Sequence, residues 1–220
     1  MGRRALRKID PALDLSRVFY PLDDVPRPFA FAPLFDTPGP LEVEIGTGKG
    51  LFLSNAAAAA PTHRFVGIEV ARKYAMSAAA RLARRGLTNA RVVHGDGLRF
   101  FHEWLPDHSV AAVHVYFPDP WWKKRHRKRR VMNEAFLSDI QRVLTPGGRL
   151  HFWTDVEEYF TSTLELIQKT VKLVGPIAVP ERPALDDLDY RTHFERRMRL
   201  HREAVYRSEF VAPDEPSAGD

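Results

Sequence analysis

The sequence predicts an α/β fold, a mostly parallel sheet with an antiparallel C-terminal strand. From Leu41 to residue 173, short apolar runs alternate with helix-periodic segments, which is the pattern of βαβ units. Stop signals such as Arg85-Gly86 and Thr145-Pro-Gly-Gly148 come just before expected strands. Residues 203–211 alternate polar and apolar like a strand, and read as an antiparallel edge on the parallel sheet.

The elements follow in order. Residues 1–40 hold Pro11, Pro21, Pro26, Pro28, Pro33, Pro38 and Pro40. That density prevents long helices and leaves few backbone donors for a ladder, so an arm or lid is expected. Strands are expected at 41–46, 64–70, 91–95, 110–116 and 148–154. Helices are expected near 50–60 and at 71–86, 97–105, 132–144 and 155–173, with Asn133 as an N-cap and Glu134 in the first turn. Beyond Pro176 the pattern is interrupted by Pro180, Pro183 and a polar loop at 186–189. The expected organisation is a proline-rich basic arm over 1–40, one domain over 41–211 and a polar tail over 212–220.

With 220 residues, 44% hydrophobic and 28% charged, the chain supports one sizeable core. It contains no cysteine, which excludes disulfides, thiolate catalysis and cysteine-based zinc sites. His114 falls in an expected strand and His126 in a basic loop, and no metal-ligand spacing connects them, so no metal is expected. No stretch reaches the roughly 18 apolar residues of a membrane span, and the basic start over 1–8 lacks an apolar secretory segment. A cytoplasmic protein without membrane association, monomer or homodimer, is the expectation.

The segment Leu41-Glu-Val-Glu-Ile-Gly-Thr-Gly-Lys-Gly50 is a strand entering a glycine-rich turn and then a helix. Its spacing is neither that of a phosphate-cradling P-loop nor G-x-G-x-x-G, but Gly46 and Gly48 allow a ligand close to the backbone. Acids discriminate further. Glu44, Glu69, Asp96 and Asp119 fall at or just past the ends of four successive strands. Such a rim repels a pyrophosphate and favours a cationic ligand such as S-adenosylmethionine, with its sulfonium and ammonium. Glu69 also lies near the offset at which an acid takes ribose hydroxyls, about 20 residues past the first glycine. The alternative for any one acid is a helix cap or a solvated carboxylate.

The stretch Phe117-Pro-Asp-Pro-Trp-Trp-Lys-Lys-Arg-His-Arg-Lys-Arg-Arg130 joins one of these acids to seven Lys/Arg. The formal charge is +5, so the chain outside this run sums to −2 (five minus seven), and the basicity is local. A basic run alone is compatible with a solvated face, a localisation signal or a nonspecific polyanion patch. Beside an acid-rimmed pocket it points to RNA, with Arg3, Arg4, Arg7, Lys8, Arg191, Arg196, Arg197, Arg199 and Arg202 able to extend the footprint. Trp121 and Trp122 suit base stacking or rim packing, and one of them is expected to be structural.

Over roughly 41–210 the chain resembles the bacterial tRNA (guanine-N7-)-methyltransferases. The resemblance rests on Phe117-Pro-Asp-Pro-Trp121 followed by Lys-Lys-Arg-His126, with Glu44-Ile-Gly, Gly67-Ile-Glu69, Trp153-Thr-Asp155 and Thr192-His-Phe-Glu195 in the expected order. It implies a Rossmann-like S-adenosylmethionine-dependent methyltransferase fold and methylation of guanosine N7 in the tRNA variable loop. It also implies cofactor contacts at Glu44, Glu69 and Asp96, and Asp119 where cofactor and guanine meet. Substrate contacts fall on Lys123, Asp155, Thr192, His193, Phe194 and Glu195, and RNA contacts on Arg125, His126, Arg127, Lys128, Arg129 and Arg130. Trp122 replaces the family's usual proline, and Arg202 stands where a glycine is usual.

Guanine N7 carries a lone pair and no proton, so its methylation needs alignment rather than a general base, and Asp119 is the candidate to stabilise the positive charge that develops. One alternative is an RNA methyltransferase acting on an exocyclic amine, whose usual Asn/Asp-Pro-Pro-aromatic loop is not matched here. Another is a nonenzymatic RNA-binding protein, which leaves the acid rim unexplained.

Overall fold

The computed structural model describes residues 6, 8–32, 34–181, 192–201 and 203–214. Within them the chain runs β1 (Phe19–Pro21), β2 (Leu41–Ile45), α1 (Leu51–Ala59), β3 (Arg64–Glu69), α2 (Arg72–Arg84), β4 (Ala90–His94) and α3 (Gly97–Arg99). A π-turn over Phe100–Trp104 prolongs α3. Then come β5 (Val110–Tyr116), α4 (Glu134–Val143), β6 (Leu144–Thr154), α5 (Glu157–Thr170), β7 (Val174–Ala178), α6 (His193–Leu200) and β8 (Tyr206–Val211).

All eight strands form one sheet in the order β1-β4-β3-β2-β5-β6-β8-β7. The strands from β1 to β6 pair in parallel, while β8 is antiparallel to both β6 and β7. Strands in the middle of such a sheet are covered on both faces and must be apolar. Val43, Val66, Ile68, Val92, Val93, Val113 and Val115 are accordingly all buried. The small face of α2, Ala75, Ala78, Ala79 and Leu82, lies close against β4. Asn133 caps α4 as expected, its side chain accepting from the Phe136 amide at 3.0 Å. Thr145-Pro-Gly-Gly148 loops out of the ladder: Leu144 pairs with Val110, and pairing resumes with Arg149 opposite Ala112.

Three expectations change. The proline-rich stretch supplies β1, and Val18, Leu22, Val25, Phe29, Leu34 and Phe35 are buried in the core. The prolines permit this because β1 is three residues long and lies at the edge of the sheet, where a missing donor is tolerated. Arg91 ties this stretch down, its Nε donating to the Leu34 carbonyl at 2.6 Å. The C-terminal strand is antiparallel but not the edge; β7 lies outside it, and Pro176 is tolerated there for the same reason. Finally, α6 interrupts what reads in sequence as an irregular region. The expected loop at 186–189, Pro183, the cations Arg3, Arg4, Arg7, Arg191 and Arg202, and positions 215–220 of the tail lie outside the described residues.

Candidate functional site

Because β4, β3, β2 and β5 are parallel neighbours, their carboxyl ends open onto one edge of the sheet, where α/β folds bind ligands. Asp96, Glu69, Glu44 and Asp119 therefore line up along that edge in spatial order.

Glu44 is fully buried, and the hydroxyl of Thr47 donates to its Oε2 at 2.5 Å. Loss of water pushes its carboxyl up to about 8, opposed by the Thr47 hydrogen bond and reinforced by the negative charge of Glu69. Glu69 holds the glycine turn: its Oε2 accepts from the Gly48 amide at 2.9 Å and its Oε1 from the Ala71 amide at 2.8 Å. One acceptor position remains on each oxygen. Gly48 has a φ of +56°, which only glycine adopts readily. A Cβ on Gly46 would meet nothing within 4 Å, so the turn leaves open space above the sheet. Asp96 caps α3, its Oδ1 accepting from the Leu98 amide at 2.9 Å. Two apolar side chains that the sequence reading missed accompany these acids. Val70, directly after Glu69, is 72% exposed, and Leu98, two residues past Asp96, is 36% exposed. Their signal in the sequence is an aliphatic residue adjoining a strand-end acid.

Asp119 is exposed and sits between two strained residues, Phe117 with φ +50° and Trp121 with φ +47°. A bulky side chain in the left-handed region costs about 1–3 kcal/mol and is retained where surrounding structure enforces it. Here the enforcing contacts are visible. Phe117 packs on Phe194 of α6 with ring centres 4.8 Å apart, and the Arg197 guanidinium lies 4.2 Å from the centre of the Phe194 ring. Trp121 stacks on His126 at 5.9 Å with Arg129 over it at 5.1 Å.

Asp155, just past β6, is half-buried; desolvation raises its pKa, partly offset by Arg197. Thr192 caps α6 by accepting from the Glu195 amide at 3.0 Å. Thr192-His-Phe-Glu195 has the S/T-x-x-E spacing of a helix start, a signal that was available in the sequence. Phe117 to Asp119, Asp155, Thr192 and Phe194 thus belong to one side of the rim. The backbone of His193 opens α6, while its side chain lies outside the description.

The structure places two of the expected site residues within ion-pair networks. Glu195 is buried, with Arg207 at 3.3 Å and Arg199 at 3.6 Å, contacts that link α6 to β8. Arg130 is likewise buried. Its Nε donates to the Pro120 carbonyl at 2.8 Å, its Nη2 to Glu158 at 2.9 Å, and its guanidinium lies 4.4 Å from the Tyr159 ring centre. The last cation of the run therefore clamps the residue after Asp119. Lys123, Arg125, Lys128 and Arg129 are exposed and His126 is intermediate, while the side chains of Lys124 and Arg127 lie outside the description.

A mostly parallel sheet, a glycine turn with free space above it and acids on adjoining strand ends define an S-adenosylmethionine-dependent methyltransferase, and solved structures of that class share the fold. A SAM-dependent methyltransferase from Aquifex aeolicus superposes with a TM-score of 0.54 at 14% identity, over 79% of this chain and 82% of its own. A 16S rRNA (adenine(1408)-N(1))-methyltransferase from Catenulisporales acidiphilia gives 0.54 at 19% identity, over 82% and 88%. The methyltransferase family model Methyltransf_4 matches residues 38–208. The curated tRNA (guanine-N(7)-)-methyltransferase of Rhodopirellula baltica is 48% identical over 94% of this chain and 79% of its own length. Its counterpart in Alcanivorax borkumensis is 39% identical over 74% and 69%. The chain belongs to the tRNA (guanine-N(7)-)-methyltransferase family.

Proposed function

We propose that the chain transfers a methyl group from S-adenosylmethionine to N7 of a guanosine in the variable loop of tRNA. The observation that carries this is the juxtaposition of the acid-rimmed, open glycine turn with the strained loop that presents Asp119 and the exposed cations. The donor set suits the cofactor. Glu44 takes the ammonium group, Gly46 and Gly48 let the ligand approach the backbone, and the free acceptor positions of Glu69 take ribose hydroxyls. Asp96 accepts from the adenine amine, and the exposed Val70 and Leu98 cover the apolar faces of that ring. S-adenosylmethionine supplies a methyl group made electrophilic by its sulfonium.

The protein's task is then placement and charge. Asp119 adjoins both cofactor and guanine, and its carboxylate stabilises the positive charge that appears on the guanine ring as N7 forms its new bond. Arg130, through Pro120, and Phe194, through Phe117, hold the Asp119 loop in place, and near-attack alignment supplies several kcal/mol, up to about 10, of the barrier reduction. Lys123, Arg125, Lys128 and Arg129, with His126, hold phosphates. Asp155, Thr192 and Phe194 line the guanine side.

The test is transfer of labelled methyl to an unmodified tRNA transcript, followed by nucleoside identification and borohydride–aniline cleavage. N7-methylguanosine at one variable-loop position is the expected product; a methyl group on an exocyclic amine, or at another site, would refute the proposal. Asp119→Ala lowers kcat by about 10²- to 10³-fold, the effect of removing one group aimed at developing charge. Its affinity for S-adenosylmethionine stays within a few-fold of native.

A further inference from the structure

The four tryptophans have different fates. Trp104 and Trp153 are buried, each 4% exposed. Trp121 stacks on His126 and has the Arg129 guanidinium over its ring. Trp122 is 67% exposed, the only aromatic among the large exposed hydrophobics of the described residues. The left-handed turn at Trp121 separates the two indoles, leaving one on the basic loop and the other in water. We infer that Trp122 forms a nucleobase-stacking subsite that takes the unpaired base next to the methylated guanine. This deepens the proposed function and rests on it.

The surroundings select the ligand. An exposed indole by itself suits a protein or a lipid surface as well as a base. This one is followed directly by exposed Lys123, with Arg125, Lys128 and Arg129 also exposed in the same loop. Among the described residues, Arg130 is the member of the run that is ion-paired to a carboxylate. A π-face beside uncompensated cations is the combination that holds single-stranded nucleic acid. Distance selects the position. Trp122 is three residues past Asp119, at most about 10 Å of extended chain. A base on Trp122 is therefore an immediate neighbour of the guanine at Asp119. Drawing that guanine out of its stack bares one face of the neighbour, and an indole covers the bared face.

The test uses the full chain and an unmodified tRNA transcript. Trp122→Ala raises KM for tRNA by about 5- to 150-fold, the range for loss of one base–aromatic stack. Affinity for S-adenosylmethionine by calorimetry and the thermal midpoint stay native, because the side chain is exposed. Trp122→Phe keeps most of the tRNA affinity. In the native protein tRNA quenches indole fluorescence, and in Trp122→Phe that quench shrinks although binding persists. A Trp122→Ala enzyme with native KM, or a Trp122→Phe protein with an undiminished quench, would overturn the subsite. So would loss of self-association as the only defect of Trp122→Ala, since the occupant would then be a second protein. Failure of the native chain to methylate tRNA would instead defeat the proposed function, and quenching of Trp122 by a single-stranded RNA would still be observed.

Discussion

Glu44 is the residue at which burial and chemistry conflict most directly. Desolvation lifts its carboxyl from an ordinary value of 4.5 to about 8, which favours the protonated form at neutral pH. In the unfolded chain that proton leaves near 4.5. The group's contribution to stability is therefore fully present below 4.5 and is lost as pH rises from there to about 8. A cation placed beside Glu44 favours the ionised form and expels the proton. Binding of S-adenosylmethionine at pH 7 is accordingly expected to release up to one proton, read as a dependence of calorimetric enthalpy on the ionisation enthalpy of the buffer. Glu44→Gln should abolish that release, weaken binding, and flatten the fall in thermal midpoint between pH 5 and 8. An unchanged proton count in Glu44→Gln would remove Glu44 from the ammonium site.

The loop between β5 and α4 depends on Arg130, and its side chain could not be assigned from sequence. Seven similar cations stand in one run, and nothing in their order tells which of them turns inward. That choice is made by Glu158 and Tyr159 of α5, which pack against the loop from far along the chain. Arg130→Ala removes the hydrogen bond to Pro120 and leaves that carbonyl without this donor. The expected cost is about 1–3 kcal/mol, a fall in thermal midpoint of a few degrees to about ten, together with reduced turnover. Lys128→Ala, on the exposed side, should leave the midpoint unchanged; equal losses in the two variants would contradict this division of the run. The interior βα units were legible because each needs a sustained period of 2 or 3.6 and a stop signal, and the strand-end acids followed from them. What escaped were β1 and β7, short edge strands interrupted by proline, and α6, whose start is marked only by its Thr192 cap. The pairing of Glu195 with Arg207 also escaped, because Arg207 lies on β8 and meets α6 only in the folded protein.

Across the whole molecule, opposite charges are segregated side by side: an acid rim along the sheet edge for a cationic cofactor, and a cationic loop for a polyanion. The two should respond differently to salt. Glu44 is sealed from solvent and Glu69 is held by backbone amides, so ions screen their contacts weakly. RNA binding, in contrast, releases counterions for each phosphate that the loop neutralises. Removing the buried Arg130 from the seven cations of the run leaves six. If each meets one phosphate, the logarithm of tRNA affinity should fall against the logarithm of salt with a slope of about −4 to −5. Arg129→Ala should reduce the magnitude of that slope by about 0.7–0.9, and Trp122→Ala should weaken binding while leaving it intact, because stacking displaces no counterion. Affinity for S-adenosylmethionine should change little over the same titration. A slope near −1 would mean that the exposed cations do not carry the RNA, whatever the chemistry at Asp119, and would move the RNA-binding surface elsewhere on the protein.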